Sequence, residues 1–315
     1  MTTSPVISIV SPVYGCRDCL EALVDGVAKA FGGTPLDWEL VLVDDRGPDD
    51  PWAVIEDLAA RDPRVVGIRL SRNHGQHLAI WAGLQAARGD WVAVLDCDLQ
   101  DDPQVIPELH AKALAEKVDA VVVDRGDWID SVARRQASRG FYWMIQKLSG
   151  LTLNHNIGNF GLYSRRLVDL LLTFRDKEVF LPAMVLITGL PRSEYALTRG
   201  DRHAGASSYR LASLLRMALY IVIRFSDRPL KLSIVVGLAF SLFAAFFSVL
   251  LLFAWALGSF TVQGWTSVIL SIWFLSGLIL AVLGVHGFYV GRIFSEVQDR
   301  PRIFVETTTL AKDGS

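Results

Sequence analysis

The stretch WVAVLDCDLQDDP, residues 91–103, joins an apolar run to a dense group of acidic side chains. Its first five residues are apolar, as expected of a buried strand. Four carboxylates follow within seven residues, those of Asp96, Asp98, Asp101 and Asp102. Like charges at this spacing repel one another, so a positive group is expected beside them. The stretch therefore predicts a strand that ends at a ligand site.

Residues 6–125 alternate between apolar strands and helices. We predict strands at 6–13, 38–45, 65–71, 91–96 and 120–125, and helices at 18–31, 51–61, 76–88 and 104–117. This pattern is typical of a parallel sheet covered on both faces, in which ligands bind beyond the carboxyl ends of the strands. The polar residues at those ends should meet in one crevice: Ser11 and Tyr14, Asp44 and Asp45, Arg72 and Asn73, and Asp96 and Asp98.

Two common phosphate-binding motifs are missing from the sequence. No G-x-G-x-x-G follows the first predicted strand, which disfavours a dehydrogenase, and no G-x-x-x-x-G-K-[ST] is present, which disfavours a P-loop nucleotidase. The formal net charge of −2 gives no basic field for nucleic acid. Acidic strand ends without a phosphate loop suit a nucleotide that is held through its base, its ribose and a divalent metal.

The acidic stretch itself offers ligands for such a metal. Asp96, Asp98 and Gln100 alternate, so in an extended segment their side chains share one side. Carboxylate and amide oxygens are hard ligands that suit Mg²⁺ or Mn²⁺, which keeps positions open for substrate phosphates. Asp101 and Asp102, which precede Pro103, are instead expected to cap the next helix.

Two uncharged segments, 232–257 and 266–290, each exceed the ~20 apolar residues that cross a bilayer as a helix. Basic residues flank the pair on its outer sides: Arg216, Arg224, Arg228 and Lys231 before it, and Arg292, Arg300 and Arg302 after it. The positive-inside rule therefore places both outer flanks in the cytosol and predicts a two-helix anchor. The N-terminus lacks the features of a signal peptide, so the N-terminal part is expected to stay in the cytosol.

Two further segments, 133–148 and 209–225, combine arginines with large apolar side chains. Basic amphipathic helices of this kind lie on anionic membrane surfaces. The alternative is that each is an ordinary helix packed on the soluble domain. Proximity to the first predicted span favours the membrane interpretation.

The chain has three cysteines, Cys16, Cys19 and Cys97. Cys16 and Cys19 form a lone C-x-x-C, and a structural zinc site needs a second ligand pair that the sequence does not offer. A redox motif remains an alternative. We favour reduced thiols near a strand–helix junction.

Several segments together resemble the family 2 polyprenyl-phosphate glycosyltransferases, a family that includes dolichol-phosphate mannose synthase and bacterial undecaprenyl-phosphate glucosyl and formamidoarabinosyl transferases. They are SPVYG, VLVDDRGPDD, SRNHGQHLAIWAGLQAARGDWVAVLDCDLQDDP, DRHAGASSYRL and YVGRIFSEVQDRPRIFVE. The resemblance covers nearly the whole chain, and RNHGQHLAI with LDCDLQ is most similar to the formamidoarabinose branch.

The resemblance implies a GT-A fold with a Rossmann-like, mostly parallel sheet, a nucleotide-diphospho-sugar donor, a UDP-sugar being favoured, and a polyprenyl phosphate acceptor. On this basis we assign nucleotide binding to Pro12, Tyr14, Asp44, Asp45 and Asn73, and Mg²⁺ or Mn²⁺ binding to Asp96, Asp98 and Gln100. Acceptor and phosphate contacts are assigned to Arg125, Arg134, Arg135, Arg199, Arg202, Ser207 and Tyr209. The residues assigned to catalysis are Asp96, Asp98, Asn159 and Arg202.

The chain departs from the family pattern at two positions. Cys16 stands where the family usually has an acidic residue, and Asn159 replaces an acidic residue that has been considered a catalytic base. Loss of that acid could mean an inactive enzyme, but a phosphate monoester has a second pKa near ~6 and is already largely dianionic at neutral pH. It can attack the anomeric carbon without a base. We therefore expect direct in-line displacement with inversion through an oxocarbenium-like transition state.

The expected organisation is a glycosyltransferase domain at 1–208 with an interfacial helix at 133–148, a juxtamembrane helix at 209–229, two transmembrane helices within 230–294, and a cytosolic tail at 295–315. The chain should lie in the cytoplasmic membrane with both termini in the cytosol. A strand-like run in RPRIFVETTTL could pair with a neighbouring subunit, and the resemblance makes a homotetramer plausible; the alternative is a frayed terminus. Two other functions stay open: a processive polysaccharide synthase, which would need more spans and a Q-x-x-R-W motif, and a non-catalytic scaffold that binds a sugar nucleotide.

Overall fold

The computed structural model describes residues 5–124, 157–177, 179–197, 228–257 and 264–310. The chain divides into two compact units, and each is described by itself. The first unit comprises residues 1–134, 153–204 and 300–315, and the second comprises 135–152 and 205–299.

The first unit alternates strands and helices closely as predicted. Its strands are β1 (Ile7–Val13), β2 (Trp38–Asp44), β3 (Val65–Leu70), β4 (Trp91–Val94), β5 (Ala120–Asp124), β6 (Ile157–Ser164), β7 (Arg192–Ala196) and β8 (Val305–Thr308). Its helices are α1 (Leu20–Phe31), α2 (Trp52–Arg61), α3 (Gln76–Ala86), α4 (Ile106–Glu116), α5 (Arg165–Leu172) and α6 (Leu181–Ile187), with 3-10 turns at Arg17–Cys19 and Pro103–Val105. The described boundaries lie within three residues of the predicted ones up to residue 124, because apolar runs and turn residues are local signals.

The strands form one sheet in the order β7-β5-β6-β4-β1-β2-β3-β8. Strands β4, β1, β2 and β3 are parallel, and so are β5 and β7, which confirms a mostly parallel sheet. The exceptions are β6 and β8, which run antiparallel to their neighbours. Both strands lie outside the repeated strand–helix pattern of residues 6–125, and only that pattern implies parallel crossovers.

Helices cover both faces of the sheet, as the apolar strands predicted. On one face α1, α2 and α4 bury Leu23, Ile55 and Leu109 against the strands. On the other face α3 and α6 bury Ile80 and Met184. Strands β1 and β2 are buried along their whole length, so their polar ends emerge from a rigid base.

The second unit contains two long helices, α7 (Arg228–Ala256) and α8 (Trp265–Val297), which include the two predicted spans except for residue 257. Within the described part of the chain, one helical segment, Phe274–Val297, is long and apolar enough to cross a membrane by length and composition. The two-span anchor and its orientation stay predictions.

The C-terminal segment completes the sheet of the first unit. Strand β8 pairs antiparallel with β3, with Ile68 opposite Thr308 and Leu70 opposite Val305. The alternative of a frayed end is therefore wrong for residues 305–308, whereas pairing of this run with a neighbouring subunit stays a prediction. The edge of β3 exposes backbone groups that need partners, and the chain's own tail provides them.

Candidate active site

The carboxyl ends of β1, β2, β3 and β4 lie at the same edge of the sheet, called the carboxyl edge below. Val13 at the end of β1 pairs with Asp44 at the end of β2, and Val10 pairs with Val94 at the end of β4. The loops that follow these strands therefore start side by side. The predicted crevice is confirmed to this extent: these parallel strands deliver Tyr14, Asp44, Asp45, Asn73 and Asp96 to one edge.

The loops after β1 and β2 touch each other through glycines. A Cβ atom added to Gly47 would lie 2.8 Å from the backbone nitrogen of Gly15, so only glycine allows this approach. Asp49 fixes the contact, since its Oδ2 accepts a hydrogen bond of 2.6 Å from the backbone N–H of Arg17. Between them the Tyr14 side chain is 56% exposed and free to face a ligand, whereas Pro12 is buried inside β1.

Asp44 is completely buried at the end of β2. Its Oδ1 accepts a hydrogen bond of 2.8 Å from the backbone N–H of Arg46, and its Oδ2 lies 3.2 Å from Nε of Arg69 without an aligned hydrogen bond. Burial raises the pKa of Asp44, and the contacts with Arg46 and Arg69 partly offset that rise. The structure thus gives Asp44 a role in shaping the loop after β2.

Asp45 fastens a neighbouring loop. Its two oxygens accept hydrogen bonds from the backbone N–H groups of His74 (2.7 Å) and Gly75 (2.9 Å), at the start of α3. Gly75 has a φ of +91°, which favours glycine. Burial raises the pKa of Asp45, and these two hydrogen bonds oppose the rise. Asn73, just before this turn, is exposed.

Asp96 follows β4 and is half-buried. Its Oδ1 accepts a hydrogen bond of 2.6 Å from Nε2 of Gln76, the first residue of α3. The sequence analysis missed Gln76, although its position in NHGQH, at the start of the helix that follows β3, was a usable signal. An amide that donates to a carboxylate restricts the orientation of the acid.

The segment after Asp96 is not extended. The prediction that Asp96, Asp98 and Gln100 share one side assumed an extended segment, and that assumption is wrong. Strand β4 ends at Val94, and Leu99 has a left-handed backbone with a φ of 57°. The carboxylate of Asp98 accepts a hydrogen bond of 3.1 Å from the backbone N–H of Gln100, which stabilises a turn. Asp98 and Gln100 are nevertheless exposed, as a metal site requires.

The donor set suits a hard divalent cation. In the described residues no three side chains of His, Cys, Asp or Glu come close enough to hold a metal ion by themselves. Mg²⁺ or Mn²⁺ does not require such a set, because it commonly uses one or two carboxylates together with water and substrate phosphates. Asp96 and Asp98 fit that requirement.

The other two acids of the stretch face different surroundings. Asp102 caps the 3-10 turn that precedes α4, since its Oδ1 accepts a hydrogen bond of 2.9 Å from the backbone N–H of Gln104. The capping prediction is therefore confirmed for Asp102. Asp101 is buried.

The cysteines lie close to the acidic stretch and are free. The thiol of Cys16 donates a hydrogen bond of 3.2 Å to the backbone oxygen of Cys97, and it also contacts Cys19. Burial raises the pKa of both Cys16 and Cys97. The neutral thiol of Cys16 thus joins the loop after β1 to the loop after β4, in agreement with the interpretation of reduced thiols.

Asn159 lies on β6, beside the acidic stretch. Strands β4 and β6 pair Trp91 with Ser164 and Val94 with Gly161. The last pair of this register thus lies two residues before Asp96 on one side and two residues after Asn159 on the other. A Cβ atom on Gly161 would lie 2.9 Å from the backbone oxygen of Val121, so β5 and β6 pack closely here.

The remaining predicted residues lie outside the described part of the chain. They are Arg125, Arg134, Arg135, Arg199, Arg202, Ser207 and Tyr209, together with the segment 133–148 and the segment 209–225. Their assignments stay predictions.

Comparisons with known proteins place the chain in a family. The model of glycosyl transferase family 2 matches residues 8–172, slightly more than half of the chain. The chain is 33% identical to an undecaprenyl-phosphate 4-deoxy-4-formamido-L-arabinose transferase of Yersinia pestis over 95% of this chain and 92% of that protein. It is 31% identical to a prophage-derived bactoprenol glucosyl transferase of Shigella flexneri over 95% of this chain and 97% of that protein.

A solved structure of glucosyl-3-phosphoglycerate synthase from Mycobacterium tuberculosis in complex with UDP is 19% identical, with a TM-score of 0.46, over 71% of this chain and 80% of that chain. Both relatives are about one-third identical to this chain over nearly its whole length. Together with the family model, they confirm the resemblance on which the GT-A expectation was based. The chain therefore belongs to glycosyltransferase family 2.

Proposed function

We propose that this glycosyltransferase transfers a sugar from a nucleotide-diphospho-sugar, a UDP-sugar in the first instance, to a polyprenyl phosphate with inversion at the anomeric carbon. The names of relatives that match 95% of the chain support the acceptor. The observation that carries the proposal is the hydrogen bond from Gln76 to Asp96 at the carboxyl edge, with the exposed Asp98 two residues further on.

The nucleoside would lie against the loops after β1 and β2. The exposed ring of Tyr14 offers a stacking surface, the buried Asp44 holds the loop after β2, and the buried Asp45 holds the turn before α3. A site built on fixed loops binds its ligand with a small loss of conformational entropy. We assign Pro12 and Asn73 to the same end of the crevice.

The diphosphate would lie toward the acidic stretch. Asp96, Asp98 and Gln100 would hold Mg²⁺ or Mn²⁺, which when bound would neutralise charge on the leaving diphosphate. The hydrogen bond from Gln76 to Oδ1 of Asp96 would restrict the orientation of this carboxylate. Arg199, Arg202, Ser207 and Tyr209 are assigned to phosphate contacts on the acceptor side, with Arg125, Arg134 and Arg135.

Asn159 is suited to hold a substrate and unsuited to remove a proton. Its amide is neutral and can donate a hydrogen bond to a sugar hydroxyl or a phosphate oxygen. The acceptor phosphate needs no base, because its second pKa of ~6 leaves it ionised at neutral pH. The protein's contribution is then to align two anionic substrates and to stabilise the charge of the departing diphosphate.

The acceptor explains the need for a membrane. A polyprenyl chain is buried in the bilayer, so its phosphate is presented at the headgroup plane. Exposed apolar side chains on α7 and α8, among them Phe243, Leu250, Phe274 and Leu283, suit lipid contact. We propose that both helices cross the cytoplasmic membrane and that the glycosyltransferase domain lies on its cytosolic side. A homotetramer is part of the proposal.

One observation favours a second function. Asn159 replaces the acid that the resemblance leads us to expect, so a scaffold that binds a sugar nucleotide without transferring it is the competing hypothesis. The test measures transfer of radiolabelled sugar from a panel of nucleotide donors to undecaprenyl phosphate in detergent, with and without Mn²⁺. Metal-dependent product supports the enzyme, and nucleotide binding without product from any donor supports the scaffold.

Substitution of Asn159 by Asp tests whether this residue positions a substrate or stands in place of a lost catalytic base. We expect the rate of transfer to change by less than about tenfold, because the side chain positions a substrate. A gain of several orders of magnitude would mean that the chain has lost a required base, which contradicts the proposed mechanism.

A further inference from the structure

The segment that follows α8 is fastened along the edge of β3. The backbone N–H of Ser71 donates a hydrogen bond of 2.8 Å to the backbone oxygen of Phe304. Near the other end of β3, the backbone N–H of Gly67 donates a hydrogen bond of 2.8 Å to the hydroxyl of Thr309. The segment therefore extends to the carboxyl edge, where the proposed nucleotide site lies.

Glu306, on β8, meets two arginines of this region. Its carboxylate forms an ion pair with the guanidinium of Arg46, although 260 positions separate the two residues. It also lies 4.0 Å from Nε of Arg69. Arg46 is held a second time, since its Nε donates a hydrogen bond of 3.1 Å to the backbone oxygen of Leu70.

The same two arginines shape the loop after β2. The backbone N–H of Arg46 binds Asp44, and Nη2 of Arg69 donates a hydrogen bond of 2.8 Å to Asp50 at the far end of the loop. Arg46 and Asp50 have left-handed backbones, with φ values of 57° and 43°. Such backbones are uncommon outside glycine and persist when surrounding contacts support them.

Arg69 is shared among three acids. Its Nε lies 3.2 Å from Oδ2 of Asp44, yet neither atom has an aligned hydrogen bond. The guanidinium instead donates to Asp50 and lies within ion-pair distance of Glu306. Without Glu306, Asp44 and Asp50 would be the remaining acids beside Arg69, and the loop would lose its tie to β8.

We propose that Glu306 is a positioning residue for the donor nucleotide: by anchoring Arg46 and sharing Arg69, it keeps the loop of residues 44–50 in the shape that the nucleoside meets. The inference rests on the proposed function, because it places the nucleoside beside Asp44 and Asp45. Donor binding then depends on a strand that the chain supplies only after its two long apolar helices.

The test uses the full-length protein in detergent and measures UDP binding with Mg²⁺ by calorimetry, with GDP and CDP in parallel. The probe is whichever of these nucleotides the wild type binds. Glu306→Ala should raise its dissociation constant about fivefold, an effect typical of losing a partly exposed ion pair together with preorganisation of the loop. Glu306→Gln, which keeps a hydrogen-bond acceptor for Arg46, should have a smaller effect. In the transfer assay the donor KM should rise while kcat and the acceptor KM stay unchanged.

Thr309→Ala is the matched control on the same segment. It removes the hydrogen bond from Gly67 and leaves Glu306 and both arginines in place, so nucleotide affinity should not change. Equal weakening by Thr309→Ala and Glu306→Ala would assign the effect to docking of the segment and overturn the proposal. The proposal would also be overturned if Glu306→Gln and Glu306→Ala both bound nucleotide with the affinity of the wild type, whatever their melting temperatures.

Failure of the two proposals can be told apart. If the wild type binds nucleotide and transfers sugar while the Glu306 variants match it, only the role of Glu306 is wrong. If the wild type binds none of the three nucleotides and transfers no sugar, the proposed function is wrong, and the role of Glu306 is wrong with it.

Discussion

The acids at the end of β2 and the acids after β4 look alike in the sequence but differ in the structure. Asp44 and Asp45 are buried: Asp44 accepts a backbone hydrogen bond from Arg46 in its own loop, and Asp45 accepts two from the turn before α3. Asp96 and Asp98 are more exposed, and one of them is oriented by the side chain of Gln76. The first pair supports the walls of the crevice, whereas the second pair is the one that we propose as metal ligands. Removing them should therefore affect different properties.

The largest effect is expected at Asp98. Asp98→Asn should lower the rate of sugar transfer about a thousandfold, because a metal ligand that stabilises charge on the diphosphate is lost. The melting temperature should stay unchanged, since the side chain is exposed. Turnover and thermal unfolding measured on the same preparation check this. Full activity in the variant, or activity that resists a chelator, would contradict the proposed metal site.

Substitution of Gln76 should lower the rate of sugar transfer less than substitution of Asp98 does. Gln76→Leu removes the hydrogen bond to Asp96, and we expect activity to fall about tenfold together with a higher Mn²⁺ concentration for half-maximal transfer. Gln85→Leu is the control, because Gln85 is an exposed residue of the same helix. Isothermal titration of Mn²⁺ provides a readout independent of turnover. An unchanged metal affinity would show that Gln76 does not orient Asp96.

Substitution of Asp45 should lower the free energy of unfolding, unlike the two substitutions above, which should lower the rate of sugar transfer. Asp45→Ala leaves the backbone N–H groups of His74 and Gly75 without their acceptor, which costs about 2 kcal/mol of the free energy of unfolding. Asp25→Ala removes an exposed acid of α1 and should change little. Chemical denaturation of the detergent-solubilised protein measures both. If Asp45→Ala unfolds like the wild type, the buried acid is not a loop anchor.

The smallest effect concerns pH. Burial, aided by the charge of Arg72, lowers the pKa of His74 in the folded chain. A histidine of this kind binds its proton more readily when unfolded, so its contribution to stability is present above the unfolded pKa of about 6.5 and is lost as the pH falls below it. His74→Gln should therefore flatten the fall in the free energy of unfolding between pH 7.5 and pH 5.5. An identical pH profile in both proteins would rule out this contribution.

The strands and helices up to residue 124 could be predicted from the sequence because each depends on neighbouring residues. The grouping of Asp44, Asp45 and Asp96 at one edge followed from the parallel strands that precede them. The turn at Asp98 was missed, since a carboxylate that binds the backbone N–H of Gln100 can replace an extended segment without changing the sequence pattern. Gln76 was missed because its partner lies in another loop.

The sequence by itself determined the alternation of strands and helices, the apolar character of the two long helices and the family to which the chain belongs. Only the tertiary structure decided which acids are buried and bonded, that β6 runs antiparallel to β4, and that β8 brings Glu306 to Arg46. The physical reason is the range of the interactions. Apolar periodicity and turn residues act between neighbours in the chain, whereas a buried carboxylate must find its hydrogen-bond partners wherever the fold provides them.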